Sequence, residues 1–203
     1  MRYSVKGFLY QTIIDPILSR LHSSVIDNID PSDKVLDIAC GTGALSLAIA
    51  GKAKHVTGID LSPEMIITAQ RTAHRKGADN TLFELRNATD LSCYADNAFE
   101  VAVTSMAVHQ FDAALAVKIL AEMNRIASKV IIVDYNHHIP KGLPRSTAWG
   151  MEFLAGGEHY RNFRVFMQRG GVHYFAREAG MKIASERVRG SGVFVVVRCE
   201  SVT

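Results

Sequence analysis

Two carboxylates and a pair of closely spaced glycines are the residues of this chain best placed for ligand chemistry. Asp37 lies in the apolar run 35–38, directly before Gly41-Thr42-Gly43, and Asp60 ends a second apolar run at 55–60. Glycines let a ligand approach the backbone, and a carboxylate at the end of the second strand can accept ribose hydroxyls. A carboxylate as close to the turn as Asp37 would oppose a pyrophosphate. It favours a ligand with a positive head, such as an ammonium or a sulfonium.

The pattern around this turn excludes two common nucleotide sites. The dinucleotide fingerprint G-x-G-x-x-G fails at Ser46, although some members of that class tolerate a small residue there. The phosphate-binding pattern G-x-x-x-x-G-K-[ST] does not occur, so phosphoryl transfer on such a loop is not expected. A strand, a glycine turn and a helix are shared by many binding proteins, and the turn alone does not select one of them.

The elements that position these residues alternate between apolar runs and helical patterns. Such alternation predicts an α/β fold with a parallel sheet covered on both faces. Gly190-Ser191-Gly192 is a hairpin-like turn between two closing runs, which predicts an antiparallel end to the sheet. The predicted strands are 34–38, 55–60, 81–86, 99–104, 129–135, 181–189 and 193–199, and the predicted helices between them are 44–50, 63–76 and 113–127.

The two ends of the chain lie outside this alternation. Residues 6–29 have apolar residues at helical spacing, with a kink or restart expected at Pro16. We expect this helix to pack on the sheet edge, and Tyr3, Lys6 and Tyr10 could alternatively form a lid over a pocket. Residues 146–180 are predicted to be mostly helical, with interruptions at Gly156-Gly157 and Gly170-Gly171.

Length and composition indicate one globular domain. The chain has 203 residues, 48% hydrophobic residues and a formal charge of +3, which does not demand a nucleic-acid partner. Three widely spaced cysteines lack metal-ligand spacing, so we expect no metal site and a reducing, cytoplasmic setting. Since no stretch reaches about 18 apolar residues, we expect neither export nor a membrane span.

Three segments in the expected order resemble motifs of one enzyme family. Asp37-Ile38-Ala39-Cys40-Gly41-Thr42-Gly43, residues 58–65 and residues 99–103 resemble successive motifs of the class I S-adenosylmethionine-dependent methyltransferases. The nearest resemblance is to small bacterial enzymes similar to the ubiquinone/menaquinone-biosynthesis methyltransferases. It covers about residues 34–135, and the ordered co-occurrence is more specific than any one motif. The family implies a Rossmann-like, seven-stranded, mostly parallel sheet with an antiparallel last strand, in agreement with the predicted hairpin.

The resemblance implies S-adenosylmethionine as the cofactor and assigns residues to its polar parts. Asp37 and the backbone of Ala39, Gly41 and Gly43 would line the methionine portion. Asp60 would hold the ribose hydroxyls. Asp37 could instead be a strand-end turn residue, and Asp60 a surface carboxylate next to a helix.

The resemblance also implies contacts around the adenine. Leu61 and Met65 would pack on the base, although Met65 could equally be a core methionine. The family's usual Asp-Ala pair is replaced here by Asn87-Ala88, whose amide oxygen could still accept from the adenine amino group, without a charge. Ser105 and Met106 would close the pocket from the opposite side.

No catalytic signature is visible on the acceptor side. The Asn/Asp-Pro-Pro-aromatic run of amide and adenine methylation is absent, and Cys40 is interpreted as a packing residue rather than a nucleophile. Candidate bases are His109 after the fourth strand and His159 in the helical segment, with His137 and His138 as further candidates after the fifth strand. Each could instead be a surface or packing residue. Several arginines follow, and we interpret them as a solvated helix face rather than an anion site: Arg161, Arg164, Arg169 and Arg177.

The prediction is therefore a single methyltransferase domain over 1–203 that methylates a small molecule such as a quinone, a lipid or another metabolite. It acts as a monomer or homodimer without nucleic acid. The alternatives are a non-catalytic S-adenosylmethionine-binding regulatory module and an RNA or protein methyltransferase. The predicted parts are an N-terminal helical cap at 1–30, a cofactor-binding core at 34–135, a substrate-recognition segment at 140–180 and a closing hairpin at 181–199.

Overall fold

A computed structural model describes the backbone of residues 15–202 and the side chains of residues 21–202. The lid suggested for Tyr3, Lys6 and Tyr10, and the start of the N-terminal helix, lie outside these residues. The described strands are β1 (Lys34–Ile38), β2 (His55–Asp60), β3 (Thr81–Leu85), β4 (Phe99–Ser105), β5 (Ala127–Tyr135), β6 (Met181–Arg189) and β7 (Phe194–Ser201).

Seven α-helices and one short 3₁₀ helix at Val108–Gln110 accompany the strands within residues 15–202. None of the helices in that range is both long and apolar enough to cross a bilayer. The helices are α1 (Asp15–Ile26), α2 (Ala44–Ala50), α3 (Pro63–Lys76), α4 (Ala113–Ile126), α5 (Leu143–Ala155), α6 (Gly157–Arg169) and α7 (Val172–Glu178).

The strands form one sheet in the order β3-β2-β1-β4-β5-β7-β6. Neighbouring strands from β3 to β5 are parallel, whereas β7 runs antiparallel to both β5 and β6. The predicted fold class, including the antiparallel C-terminal hairpin, is confirmed. The chain goes outward from β1 to β3 and then returns to β4, so the order reverses between β1 and β4. In such open sheets, ligands bind beyond the carboxyl ends of the strands at this switch point.

Alternation along the central strands sends side chains to two apolar layers. Val101 and Val103 face a layer that includes α1 and α2, while Ala102 faces the layer formed with α4, α6 and α7. Neighbouring strands repeat this pattern, and the helices therefore cover both faces as predicted. The central strands are fixed between these layers, which gives the loops at their carboxyl ends a rigid base.

Local sequence explains the boundaries of α3 and the glycine turn. The Ser62 hydroxyl accepts from the Met65 N–H at the start of α3, and Gly77 ends that helix in the left-handed conformation. A Cβ built on Gly43 would lie 2.8 Å from the Phe83 ring, so only glycine lets the turn pack this closely on the sheet. The predicted helix at 146–180 is divided into α5, α6 and α7, because the glycines at its interruptions adopt positive φ angles.

Candidate functional site

Asp60 is held in a fixed orientation at the carboxyl end of β2. The backbone N–H of Gly41 donates to Oδ2 at 2.9 Å, and the N–H of Ser62 donates to Oδ1 at 2.8 Å. The residue is partly exposed, and each oxygen keeps a further lone pair. The carboxylate therefore joins the ends of β1 and β2 and can accept two hydroxyl groups from a ligand.

Asp37 lies beneath the same turn and is almost completely buried. The Ser46 hydroxyl donates to its Oδ2 at 2.5 Å. Burial raises the pKa of Asp37 to about 7, the nearby charge of Asp60 acts in the same direction, and the Ser46 hydrogen bond opposes both. A positive ligand group near this carboxyl would favour its ionised form. Ser46 stands where the dinucleotide fingerprint fails, and its hydroxyl has a specific partner here.

Residues with positive φ follow the ends of both β1 and β4. Ala39 and Met106, which are not glycines, have φ angles of 57° and 55°, and Gly41 and Gly43 have φ angles of 54° and 77°. A Cβ built on Gly41 meets no atom within 4 Å, so the turn faces open space at that point. Residues held in this region of φ cluster at ligand sites. Ser105 ends β4, which pairs with β1 at the switch point, and Met106 follows it.

The residues predicted to surround the adenine lie beyond β2 and β3. Leu61 is 68% exposed and Met65 is 40% exposed, which is unusual for such large apolar side chains. Asn87 is exposed, but its Oδ1 already accepts from the N–H and the hydroxyl of Thr89. Its Nδ2 is therefore better placed to face a ligand than its oxygen. Ala88 packs partly against the core. Together, Asp37, Gly41, Gly43 and Asp60 are called the turn site below.

A second group of polar side chains lies beyond the ends of β4 and β5. His109 is 1% exposed, and its Nδ1 lies 2.6 Å from Oδ1 of Asp134. The backbone N–H of His109 donates to the other Asp134 oxygen at 3.2 Å. The opposite ring nitrogen, Nε2, lies 3.7 Å from Oε1 of Glu152, which is an ion-pair distance rather than a hydrogen bond.

Glu152 extends this group to helix α6. The Tyr135 hydroxyl donates to Oε1 of Glu152 at 2.7 Å, and Nε2 of His159 lies 2.5 Å from Oε2. The His159 side chain is 28% exposed, whereas that of Glu152 is 8% exposed. His109, Asp134, Glu152 and His159 are called the histidine cluster below. It connects the sheet to the helical segment that was predicted to recognise the substrate.

Charge within the histidine cluster is mutually dependent. Burial on its own lowers the pKa of His109, but the charges of Asp134 and Glu152 and the Asp134 hydrogen bond outweigh it, so the pKa is raised. Burial likewise acts to raise the pKa of Glu152, and the hydrogen bond from His159 and the charge of His109 bring it below its usual value. His109 and Glu152 thus each favour the ionised form of the other.

Sequence reasoning named both histidines but not their acidic partners. Asp134 and Glu152 each interrupt an otherwise apolar stretch, and this was the signal that could have revealed them. The burial of His109 keeps it from direct contact with solvent, so its suggested role as a base stays a prediction. His159 is the cluster's accessible imidazole. Nothing in the spacing of residues 109, 134, 152 and 159 indicates that they meet.

The other candidate histidines form a separate group. The rings of His137 and His138 lie 3.8 Å apart, and His137 also lies 5.0 Å from the ring of His173. Nε2 of His173 contacts Glu186 at 2.7 Å on the surface. Burial and the two neighbouring imidazoles lower the pKa of His137. This group lies on the hairpin side of the molecule.

The arginines and Cys40 agree with their structural interpretations. Arg161, Arg164, Arg169 and Arg177 are all exposed, as expected for a solvated helix face. Burial, together with the charges of nearby carboxylates, raises the pKa of the Cys40 thiol well above its usual range. A thiol of this kind is a poor nucleophile at neutral pH.

The part of the chain that contains the turn site matches a known family. Residues 35–130, just under half of the chain, match the model of a methyltransferase domain. The ubiquinone/menaquinone biosynthesis C-methyltransferase UbiE of Bdellovibrio bacteriovorus is 37% identical over 106 residues, which are 51% of this chain and 44% of that protein. The matched region is similar to the class I S-adenosylmethionine-dependent methyltransferases. The resemblance seen in the sequence is thereby confirmed.

A second relative matches a shorter part of the methyltransferase domain. An uncharacterised RNA methyltransferase of Streptococcus pyogenes is 38% identical over 73 residues, which are 35% of this chain and 16% of that protein. The chain thus spans less than half the length of these two relatives. The family model ends at residue 130, before the helical segment at 140–180.

Solved structures share the fold of the methyltransferase domain. A Methanosarcina mazei S-adenosylmethionine-dependent methyltransferase superposes with a TM-score of 0.67 at 20% identity, over 88% of this chain and 97% of that one. Magnesium protoporphyrin IX methyltransferase from Synechocystis, solved with bound S-adenosylmethionine, gives a TM-score of 0.67 at 16% identity, over 100% of this chain and 87% of that one. At these identities the likeness concerns the fold.

Proposed function

We propose that this protein transfers a methyl group from S-adenosylmethionine to a small-molecule acceptor. The observation that carries the proposal is the geometry of Asp60, whose two oxygens are oriented by the N–H groups of Gly41 and Ser62 next to an open turn. A carboxylate held in this way is suited to the two ribose hydroxyls of the cofactor. Bound S-adenosylmethionine supplies an activated methyl group on a positive sulfonium.

The other residues of the turn site fit the methionine portion. The backbone of Ala39, Gly41 and Gly43 would line this portion, and at Gly41 no side chain would obstruct a ligand. Asp37 lies below this backbone, and its carboxyl favours a positively charged group nearby because such a group offsets the cost of its burial. These features support a cationic ligand rather than a pyrophosphate.

Residues around the turn site complete the proposed cofactor pocket. Leu61 and Met65 are exposed, and contact with the adenine would bury part of their apolar surface. Asn87 would face the same base through its Nδ2, with Ala88 beside it. Ser105 and Met106 would close the pocket from the end of β4.

The acceptor is proposed to enter between the turn site and helices α5 and α6. Phe153 and Leu154 on α5 are 65% and 78% exposed, and the Phe153 ring contacts Tyr160 next to His159. An exposed apolar surface beside a titratable imidazole supports an acceptor with an apolar body and one polar reacting group, such as a quinone-like or lipid-like metabolite. His159 is proposed to hold or take the acceptor proton, and Glu152 to orient it.

The proposal includes a cytoplasmic enzyme that acts as a monomer or homodimer without nucleic acid. The RNA methyltransferase match leaves most of that protein uncovered, so it does not favour RNA as the acceptor. The modest net charge of +3 supports the same choice.

Calorimetry with three ligands tests the cofactor. S-Adenosylmethionine and S-adenosylhomocysteine should bind, whereas NAD should not, because Asp37 opposes a pyrophosphate. Binding of NAD alone would overturn the proposal. Methyl transfer from labelled cofactor is then measured on a metabolite extract and, in parallel, on total RNA. Label in the organic-soluble fraction supports the proposed acceptor class, and label only in RNA contradicts it.

A further inference from the structure

The two buried carboxylates of the histidine cluster need a compensating positive charge. Nδ1 of His109 is committed to Asp134, so the lone pair of a neutral His109 points from Nε2 toward Glu152, only 3.7 Å away. Within the described residues, no lysine or arginine nitrogen lies within 4.0 Å of either carboxylate. Two carboxylates this deeply buried require a compensating cation. Protons on the imidazoles are one source, and a bound metal ion is another.

The ligand atoms of the cluster converge as a metal site requires. One ring nitrogen each of His109 and His159 and a carboxylate oxygen of Glu152 all lie within 4.8 Å of one another. Bonds of about 2.0–2.2 Å to a zinc-like ion place neighbouring ligand atoms about 3.0–3.5 Å apart. The 3.7 Å between His109 and Glu152 is close to that spacing. The direct contact between His159 and Glu152 is shorter, so the partly exposed His159 ring would move outward as the ion enters.

Partners outside the three ligands are also in place. Metal-binding histidines almost always donate their other ring N–H to a carboxylate or carbonyl, which fixes the tautomer. Asp134 provides such an acceptor for Nδ1 of His109 at 2.6 Å. The Tyr135 hydroxyl donates to Oε1 of Glu152 and so orients that carboxylate. His109 and Glu152 are therefore already aimed at the centre of the cluster before any ion binds.

We propose that His109, Glu152 and His159 bind one divalent transition-metal ion of the zinc class, oriented by Asp134 and Tyr135. Two imidazoles and one carboxylate leave at least one coordination position open, as catalytic zinc sites do. That position lies on the side of His159, the exposed member of the set. The inference about ion binding is independent of the methyl donor. That the open position takes an oxygen atom of the acceptor, in place of proton transfer to His159, rests on the proposed function.

Metal titration of the full-length, tag-free protein tests this site. Protein stripped with EDTA is titrated calorimetrically with Zn²⁺ alone, and Co²⁺ binding is followed by visible absorption, which reports coordination number. We expect one ion per chain. Glu152→Gln and His159→Gln preserve side-chain volume and should lower the affinity at least 10-fold. Asp134→Asn should lower it by about 10- to 100-fold through the lost orientation of His109.

The surface pair His173–Glu186 provides a matched control. It has the same chemistry and a contact of 2.7 Å but belongs to none of the three-ligand sets, so His173→Ala should leave Zn²⁺ affinity unchanged. Circular dichroism confirms that each variant is folded. The proposal is overturned if Zn²⁺ does not bind stoichiometrically, or if its binding survives His159→Gln. In either case, protons on the imidazoles are the remaining source of positive charge. S-Adenosylmethionine binding in EDTA, measured separately, distinguishes failure of the metal site from failure of the proposed function.

Discussion

The turn site holds its carboxylates with neighbours from one β–α–β unit, whereas the histidine cluster brings together residues from four different elements. Asp60 receives two backbone N–H groups and stays partly exposed. Asp134 and Glu152 are buried. Asp134 accepts from two backbone N–H groups as well as contacting Nδ1 of His109, whereas Glu152 is paired with imidazoles and a phenol alone. Backbone donors are fixed as soon as the strands pair. Side-chain donors are fixed only when the helices α5 and α6 are packed.

The difference suggests a division of labour between a preformed cofactor site and an adaptable acceptor site. The strained φ angles at Ala39 and Met106 are maintained by the central strands, which are buried on both faces. The proposed acceptor side is built on helices that begin and end at glycines with positive φ. The family model ends at residue 130, before these helices begin.

The largest expected effect concerns the charge buried at the turn site. Between about pH 4 and pH 7, folded protein keeps a proton on Asp37 that unfolded protein releases, so the free energy of unfolding falls as the pH rises. A pKa raised from 3.8 to about 7 corresponds to about 4 kcal/mol above pH 7. Asp37→Asn should therefore stabilise the cofactor-free protein, by about 3 kcal/mol more at about pH 8 than at about pH 5.

Urea denaturation of wild type and Asp37→Asn at the two pH values measures this effect. The subtraction cancels other titrating groups, because both proteins share them. The same variant should weaken S-adenosylmethionine binding, since an amide does not stabilise the positive sulfonium. A stability difference that does not change with pH would show that Asp37 is not the buried titrating group.

The next effect tests whether Asp60 belongs to the turn site as a ligand-binding group. Asp60→Ala should weaken S-adenosylmethionine binding about 100-fold, or about 3 kcal/mol, because two charge-assisted hydrogen bonds to the ribose are lost. Asp79→Ala is the matched control, since Asp79 is an exposed carboxylate on the loop before β3. Calorimetry on both folded variants gives the comparison. Equal affinity in the two variants would remove Asp60 from the cofactor site.

The contrast between the two regions also explains what the sequence could reveal. Strand and helix patterns near the turn site are local, so β1, β2 and α2 were predicted at their observed residues. The fold and the cofactor class followed from those motifs. The partners in the histidine cluster come together only through packing of α5 and α6 on the end of β5, which no local pattern encodes. A buried acid such as Asp134 is visible in sequence only as an interruption of an apolar strand.

A local hydrogen-bonded turn also limited what the sequence could reveal about the residues proposed to lie near the adenine. Sequence reasoning assigned Asn87 to accept from the adenine amino group, by resemblance to an aspartate in the family. In the structure, the Asn87 amide oxygen folds back onto Thr89 in a tight turn. An isolated motif position gives the residue type but not the direction of its side chain, and the role of Asn87 stays a prediction.

A smaller effect compares the two His–Glu pairs in EDTA. Glu152→Gln should destabilise the protein by about 2 kcal/mol, because the buried His109 loses one of the charges that stabilise its imidazolium. Glu186→Gln removes the same kind of charge from a pair that is 36% and 46% exposed and should cost less than about 0.5 kcal/mol. Denaturant unfolding measures both. Equal values would mean that the histidine cluster is not held together by charge.

The smallest expected effect separates two consequences of adding a side chain at the turn: backbone strain and obstruction of the open space. Gly41 and Gly77 have φ angles of 54° and 63°, and a Cβ built on either meets nothing within 4 Å. Alanine at each position should therefore cost a similar strain of about 1–2 kcal/mol in the free energy of unfolding. Gly77 ends α3 away from the proposed ligand, whereas a methyl group at Gly41 would enter the space assigned to the methionine portion. Only Gly41→Ala should also weaken S-adenosylmethionine binding, by about 10-fold, or about 1.4 kcal/mol. If both variants bind the cofactor like wild type, the open side of the turn is not where the ligand lies.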